Sequence, residues 1–76
     1  MPRYFFDTFD GVFVSDEEGF DLPDTKAAAE EATASLPDLA RSLINRSGSG
    51  AVSVTVRDEY GRRIFCTGMA IEQQWL

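Results

Sequence analysis

The chain of 76 residues contains no histidine and only one cysteine, Cys66. Histidine is the commonest general base in proteins, so its absence excludes serine or cysteine hydrolysis by the usual catalytic constellation. A single cysteine cannot form an internal disulfide, which fits a cytoplasmic protein. We interpret Cys66 as a small core residue, because free cysteine is among the most buried residue types. A chain this short also has little room for an enzyme's concave pocket, and we expect that it is not an enzyme.

Long apolar runs and positive charge are also lacking. No apolar run approaches the roughly 20 residues that span a bilayer, and the N-terminus does not have the pattern of a secretory signal. Lysine and arginine total 7 against 13 aspartates and glutamates, which gives a net charge of −6. The acidic excess lies in residues 1–31, whereas nucleic-acid binders need clustered positive charge. We therefore expect neither a nucleic-acid partner nor a membrane partner.

Carboxylates are the remaining candidates for binding a metal ion. Asp7, Asp10 and Asp16 could in principle surround a hard cation. Their spacing lacks the calcium-loop pattern, which needs alternating acidic or amide residues, a glycine and a later glutamate. Asp10 and Asp16 are explained as well by their role in turns. The sequence thus predicts no metal ligand and no cofactor.

The first predicted strand, residues 3–9, is apolar on both faces. Tyr4, Phe5 and Phe6 are consecutive, although side chains of a half-buried strand alternate between apolar and polar. This pattern predicts cover on both faces, with another protein surface as the second cover. An Asp10-Gly11 pair follows, which favours a two-residue hairpin turn that sets Phe9 opposite Val12 and Asp7 opposite Val14.

Residues 25–45 have the pattern of an amphipathic helix with Asp24 as its N-cap. Its apolar stripe has helical spacing and consists of Ala28, Ala32, Leu36, Leu39 and Leu43. Pro37 lies inside this segment, so either one helix bends or a second helix starts there. The unbroken stripe favours one bent helix.

A second hairpin follows the helix. Val52, Val54 and Val56 alternate with polar residues, and residues 58–61 form a turn signal. A left-handed bulge at Gly61 would set Val56 opposite Ile64 and Val54 opposite Cys66. That register places Ile64 and Cys66 on the valine face. It places Thr55, Phe65, Thr67, Met69 and Ile71 on the other face.

These elements predict a single small α+β domain over residues 1–76. Its order is strand, strand, helix, strand, strand, which gives a small antiparallel sheet from two β-hairpins with the long kinked helix packed on one face. A domain of this size has a marginal core, and oligomerisation is a common supplement to its stability.

Several motifs together resemble a family of short uncharacterised proteins that are abundant in alphaproteobacteria and classed as a domain of unknown function. These motifs are the opening MPRYFF, the DG turn, DEEG, LPD and VRDEYGR. Pro37 and the loop at residues 45–50 depart from the family's uninterrupted helix. The resemblance implies a bacterial cytoplasmic protein and brings no known activity, so it assigns a role to no residue.

Three interpretations of the apolar surface follow. The first is a non-catalytic interaction module that self-associates through an aromatic-rich sheet face, or binds another protein; its candidate interface residues are Tyr4, Phe6, Phe65, Met69 and Trp75. The second is a regulatory or antitoxin-like domain that binds a basic protein partner or a small ligand, since the acidic half suits a basic surface. The third is that the aromatic residues fill the domain's own core.

Overall fold

The computed structural model describes all residues from Met1 to Leu76 as one antiparallel sheet with a bent helix on one face. Its elements are β1 (Arg3–Phe9), β2 (Phe13–Val14), β3 (Phe20–Asp21), α1 (Thr25–Ala34), α2 (Leu36–Arg46), β4 (Gly50–Arg57) and β5 (Arg63–Ile71). The predicted α+β class, with an antiparallel sheet and a bent helix packed on it, is confirmed. Neither helix is long and apolar enough to cross a membrane.

The sheet has five strands rather than the four expected. The strand order is β2-β1-β4-β5, and β3 pairs with the same side of β1 as β2 does, at its other end. The turn signal at residues 16–19 does separate two extended pieces, and the second of them pairs with β1 as a strand of its own. All pairings are antiparallel, and β5 forms the opposite edge of the sheet.

The helical segment is one rod with a bend, as predicted. Asp24 caps it, because its carboxylate accepts a 2.9 Å hydrogen bond from the backbone N–H of Ala27. α1 and α2 meet at Ser35, whose backbone is itself helical, with φ −83° and ψ −13°. Pro37 follows in the first turn of α2, where a missing N–H costs little.

The core lies between the bent helix and the middle of the sheet. Ala28 and Ala32 of α1 are fully buried against the sheet, and their small side chains allow a close approach of the two layers. The other buried apolar residues are Tyr4, Leu36, Ala40, Leu43, Val52, Val54 and Val56. The helical stripe and the valine alternation seen in the sequence thus form the core, although Leu39 is only partly buried.

The predicted register of the first hairpin is wrong by one residue. Phe9 pairs with Phe13 and Thr8 pairs with Val14, so the loop has three residues instead of two. The guanidinium of Arg46 in α2 donates to the backbone carbonyl of Asp10 at 3.0 Å and to its carboxylate at 3.2 Å. A contact with a distant helix therefore holds the loop, which local turn preferences cannot show.

The predicted register of the second hairpin is also wrong by one residue beyond its first pair. Arg57 pairs with Arg63, but a bulge then leaves Ile64 unpaired, so that Val56 lies opposite Phe65 instead of Ile64. A shift of one residue moves every following side chain to the other face. Phe65 and Met69 therefore share the helix side with the valines. Cys66 lies opposite Thr55 on the open face and is exposed, so its interpretation as a core residue is wrong.

The open face of the sheet is partly charged. Phe5 lies opposite Arg57, and the guanidinium carbon is 5.1 Å from the centroid of the Phe5 ring. A cation over an aromatic ring both covers the ring and interacts favourably with it. The second cover expected for the first strand is therefore supplied, at Phe5, by a side chain of the neighbouring strand.

Candidate interaction surface

The outer edge of β5 is the longest unpaired strand edge of the protein. β5 has nine residues and pairs with β4 on one side only. Natural edge strands are commonly protected from pairing with other chains by charged residues, proline or very short length. Residues 64–71 contain no charged residue and no proline. This edge therefore keeps its backbone hydrogen-bonding groups available over about eight residues.

Apolar side chains accompany this open edge. Ile64, Phe65 and Met69 are 38%, 36% and 42% exposed. Phe65 and Met69 lie on the helix side, directly opposite the buried Val56 and Val52. Phe65 also lines a shallow groove along α1 together with Ala29 and other residues of that helix. The edge thus extends the apolar core to the surface instead of closing it with polar groups.

The opposite edge of the sheet is interrupted. Between β2 and β3 the chain leaves the ladder, and the carboxylate of Asp16 accepts hydrogen bonds from the backbone N–H groups of Phe6, Glu18 and Gly19 at 3.0, 3.1 and 3.2 Å. A side chain thereby replaces ladder bonds in the middle of this edge. The pieces on either side have only two residues each, a length that gives a second chain little to pair with.

An ion pair on the open face ties this interrupted edge to the middle of the sheet. Asp7 accepts hydrogen bonds from Nε of Arg57 at 2.7 Å, from Nη2 at 3.1 Å and from the backbone N–H of Asp16 at 2.9 Å. The hydrogen bonds, above all those from Arg57, lower the pKa of Asp7, whereas burial of the carboxylate acts to raise it. Burial opposes ionisation of Asp16 as well, but its three backbone donors lower its pKa. This network holds structure together and does not open into a cleft.

The five residues predicted for the interface lie in three different places. Tyr4 is 4% exposed and belongs to the core. Phe6 is half-buried and packs edge-on against Phe20, with ring centroids 6.2 Å apart. Phe65 and Met69 lie together on β5, and Trp75 lies beyond the end of that strand, fully exposed. The structure thus brings two of the five to one edge and places two in or against the core.

Sequence reasoning missed Ile64 as part of this surface. The absence of charge and proline over residues 64–71 was a visible signal. It becomes informative only once the topology shows that β5 is an edge strand. No group of three or more histidine, cysteine, aspartate or glutamate side chains is arranged to hold a metal ion.

A family model described as a domain of unknown function, DUF6894, matches residues 3–70. The match covers the bent helix and all of the sheet except Ile71, the last residue of β5. The chain therefore belongs to this family. No curated protein and no solved structure matches the chain.

Proposed function

We propose that this member of the DUF6894 family is a non-catalytic protein-interaction module that self-associates by pairing β5 of one copy with β5 of a second copy. The observation that supports the proposal is the uncharged, proline-free edge of residues 64–71, with its exposed apolar side chains. Pairing would satisfy the backbone groups of both edges and bury Phe65 and Met69 of each copy. The surface differs from the sheet face expected from the sequence, because the bulge at Ile64 moves these two side chains to the helix side.

Closed symmetry favours such a pairing. Two identical strands related by a two-fold axis run antiparallel, as all strands of this sheet do, and the contact closes after two copies. The opposite edge, with its two-residue strands, cannot continue the assembly. The proposal therefore predicts dimers and not fibres.

Sedimentation equilibrium tests the proposal at protein concentrations from about 1 µM to about 1 mM, a range that covers weak interfaces. We expect a species of twice the chain mass of 8.4 kDa, and loss of this species in Met69→Lys, because a lysine on the edge is a natural barrier to strand pairing. Ile44→Lys, which adds the same charge at a 46% exposed position on α2, is the matched control and should leave the dimer intact. A wild-type monomer throughout the range overturns the proposal, and so does a Met69→Lys dimer of unchanged affinity.

A second candidate function is the binding of a basic protein segment. Glu17, Glu18, Glu30 and Glu31 are exposed and make no ion pair within the chain, so they are free to meet positive charge. An arginine-rich peptide should then bind at low salt, lose affinity as salt rises, and bind more weakly to the Glu17→Gln, Glu18→Gln double variant. Equal binding by the variant, or no binding by the wild type, counts against this function.

A further inference from the structure

The residues after β5 continue the direction of that strand and end in two exposed apolar side chains. The side chain of Gln73 lies near Gly48, so the segment passes the loop after α2 and leaves the sheet. Trp75 and Leu76 are fully exposed. The protein measures 50 × 20 × 16 Å along its principal axes, a long first axis that fits a projecting arm. We define residues 72–76 as the C-terminal arm; nothing in the protomer covers its tryptophan.

The symmetry of a β5–β5 pair restricts which residues can face each other. A two-fold axis that relates neighbouring antiparallel strands is perpendicular to the sheet, so helix-side residues of one copy lie beside helix-side residues of the other. With the axis at Thr67, the middle of the strand, Phe65 of each copy faces Met69 of the second. Arg63 of one copy then lies near Glu72 of the other. Neither of these charged residues has an ion-pair partner within the chain, and the pairing brings opposite charges together at both ends.

The same pairing determines where the arm goes. Antiparallel to β5, the arm of one copy runs beside the turn at residues 58–62 of the other. Residues 72–76 lie beyond the end of β5; extension of the strand's alternation into the arm on pairing would place Trp75 on the helix side, where Phe65 lies. An open cleft of about 610 Å³ lies at this end of the protein. Its lining includes Tyr4, Ile64 and, at the start of α1, Thr25.

We propose that the C-terminal arms are exchanged in the dimer, so that Trp75 of each copy occupies the cleft formed by Pro2, Tyr4, Thr25, Ile64 and the 58–62 turn of the second copy. This inference rests on the proposed β5–β5 pairing and adds to it an anchor and a receptor site. Tryptophan is the residue most typical of the energetic centre of interfaces, because it buries a large apolar ring and keeps an N–H for hydrogen bonding.

The chain has a single tryptophan, so its fluorescence reports on Trp75 alone. We expect the emission maximum to lie at short wavelength in the concentrated wild-type protein and to shift to the wavelength of a hydrated indole on dilution, in step with dissociation. Met69→Lys, as a monomer, should show hydrated emission at every concentration. Trp75→Ala should weaken dimerisation tenfold or more, whereas Gln74→Ala, one position away on the other side of the arm, should leave it unchanged.

The receptor site is tested by Thr25→Glu. Its longer, charged side chain intrudes into the cleft, while an acidic residue at a helix N-terminus favours the fold. We expect a folded dimer with weaker association and Trp75 emission shifted toward that of water. A wild-type monomer overturns the pairing itself. Arm exchange alone is overturned if Met69→Lys abolishes the dimer but the wild-type dimer shows the emission of a hydrated Trp75 and Trp75→Ala does not change the affinity. Short-wavelength emission in monomeric Met69→Lys overturns it too, since the indole would then be docked on its own chain.

Discussion

Replacing Asp7 tests whether one carboxylate joins the interrupted edge to the rest of the sheet. Asp7 is 8% exposed and accepts from the guanidinium of Arg57 at 2.7 and 3.1 Å and from the backbone N–H of Asp16 at 2.9 Å. In Asp7→Ala, these donors lose the carboxylate, but Nη2 of Arg57 keeps its 2.8 Å hydrogen bond to the backbone carbonyl of Asp16, and the Arg57 side chain is 25% exposed. Removing one partner of a buried ion pair costs about 3–5 kcal/mol, and the partial exposure of Arg57 favours the lower end, about 3 kcal/mol.

A loss of this size is a large part of the stability of the domain. A chain of this length has a free energy of unfolding of roughly 4–11 kcal/mol, so Asp7→Ala should lower the melting temperature on the order of 15 °C. Urea denaturation followed by circular dichroism measures the free energy directly. Asp38→Ala is the matched control, because Asp38 pairs with Arg41 at a similar distance of 3.0 Å but in full contact with water. The control should be indistinguishable from the wild type.

A double-mutant cycle separates the ion pair from the loss of packing. Asp7→Ala combined with Arg57→Leu should show a coupling free energy of about 1–2 kcal/mol, since the two groups bond each other directly. A coupling near zero, or a single-variant loss as small as that of Asp38→Ala, would refute the view that this pair holds the edge.

Three further predictions concern the same framework. Asp7 and Asp16 have lowered pKa values in the folded protein, so their contribution to stability should be complete above about pH 4 and lost as the pH falls below it; urea midpoints measured against pH should show this fall, and Asp7→Asn should reduce it. Gly19→Ala should destabilise the protein by about 2–3 kcal/mol and Gly61→Ala by about 1 kcal/mol. Both glycines have positive φ, but only at Gly19 would the new methyl group lie 2.7 Å from a carbonyl oxygen of β1. Equal losses of stability in the two variants would contradict this reason. Asp24→Ala should cost about 1 kcal/mol by removing the helix cap, while Asp24→Asn, measured in the same thermal melts, should keep most of that stability.

The helix and β4 could be predicted from the sequence because their signals are local and repeated. Asp24 is followed by a stripe of apolar residues at helical spacing, and Pro37 lies where it bends that stripe without shifting its phase. Val52, Val54 and Val56 alternate strictly with polar residues, and all three are buried. In these segments the periodicity of the side chains and the environment of the chain agree.

The register of the first hairpin failed because of contacts that its local pattern does not contain. The loop after β1 gains a third residue, and Arg46, 36 positions away, hydrogen-bonds Asp10 within it. The second strand is broken at Asp16, whose carboxylate accepts hydrogen bonds from the backbone N–H of Gly19 in its own turn and from the backbone N–H of Phe6 in β1. The loop thus depends on a contact across 36 positions, and the break in the strand on one that spans ten. The candidate surface was missed for the same reason, since an edge exists only after the strand order is known.

The bulge at Ile64 links the fold to the proposed function. Without it, Phe65 and Met69 would lie on the open face, where the Asp7–Arg57 pair makes the surface polar. With it, they lie beside the buried valines at the rim of the sheet, where a second copy's edge could continue both the backbone ladder and the apolar layer. Arg63 lies on the open face opposite Arg57, and the shift places Glu72 on that same face by alternation. One unpaired residue thus gives β5 an apolar helix side and a complementary pair of charges at its ends, which is the arrangement that antiparallel self-pairing requires.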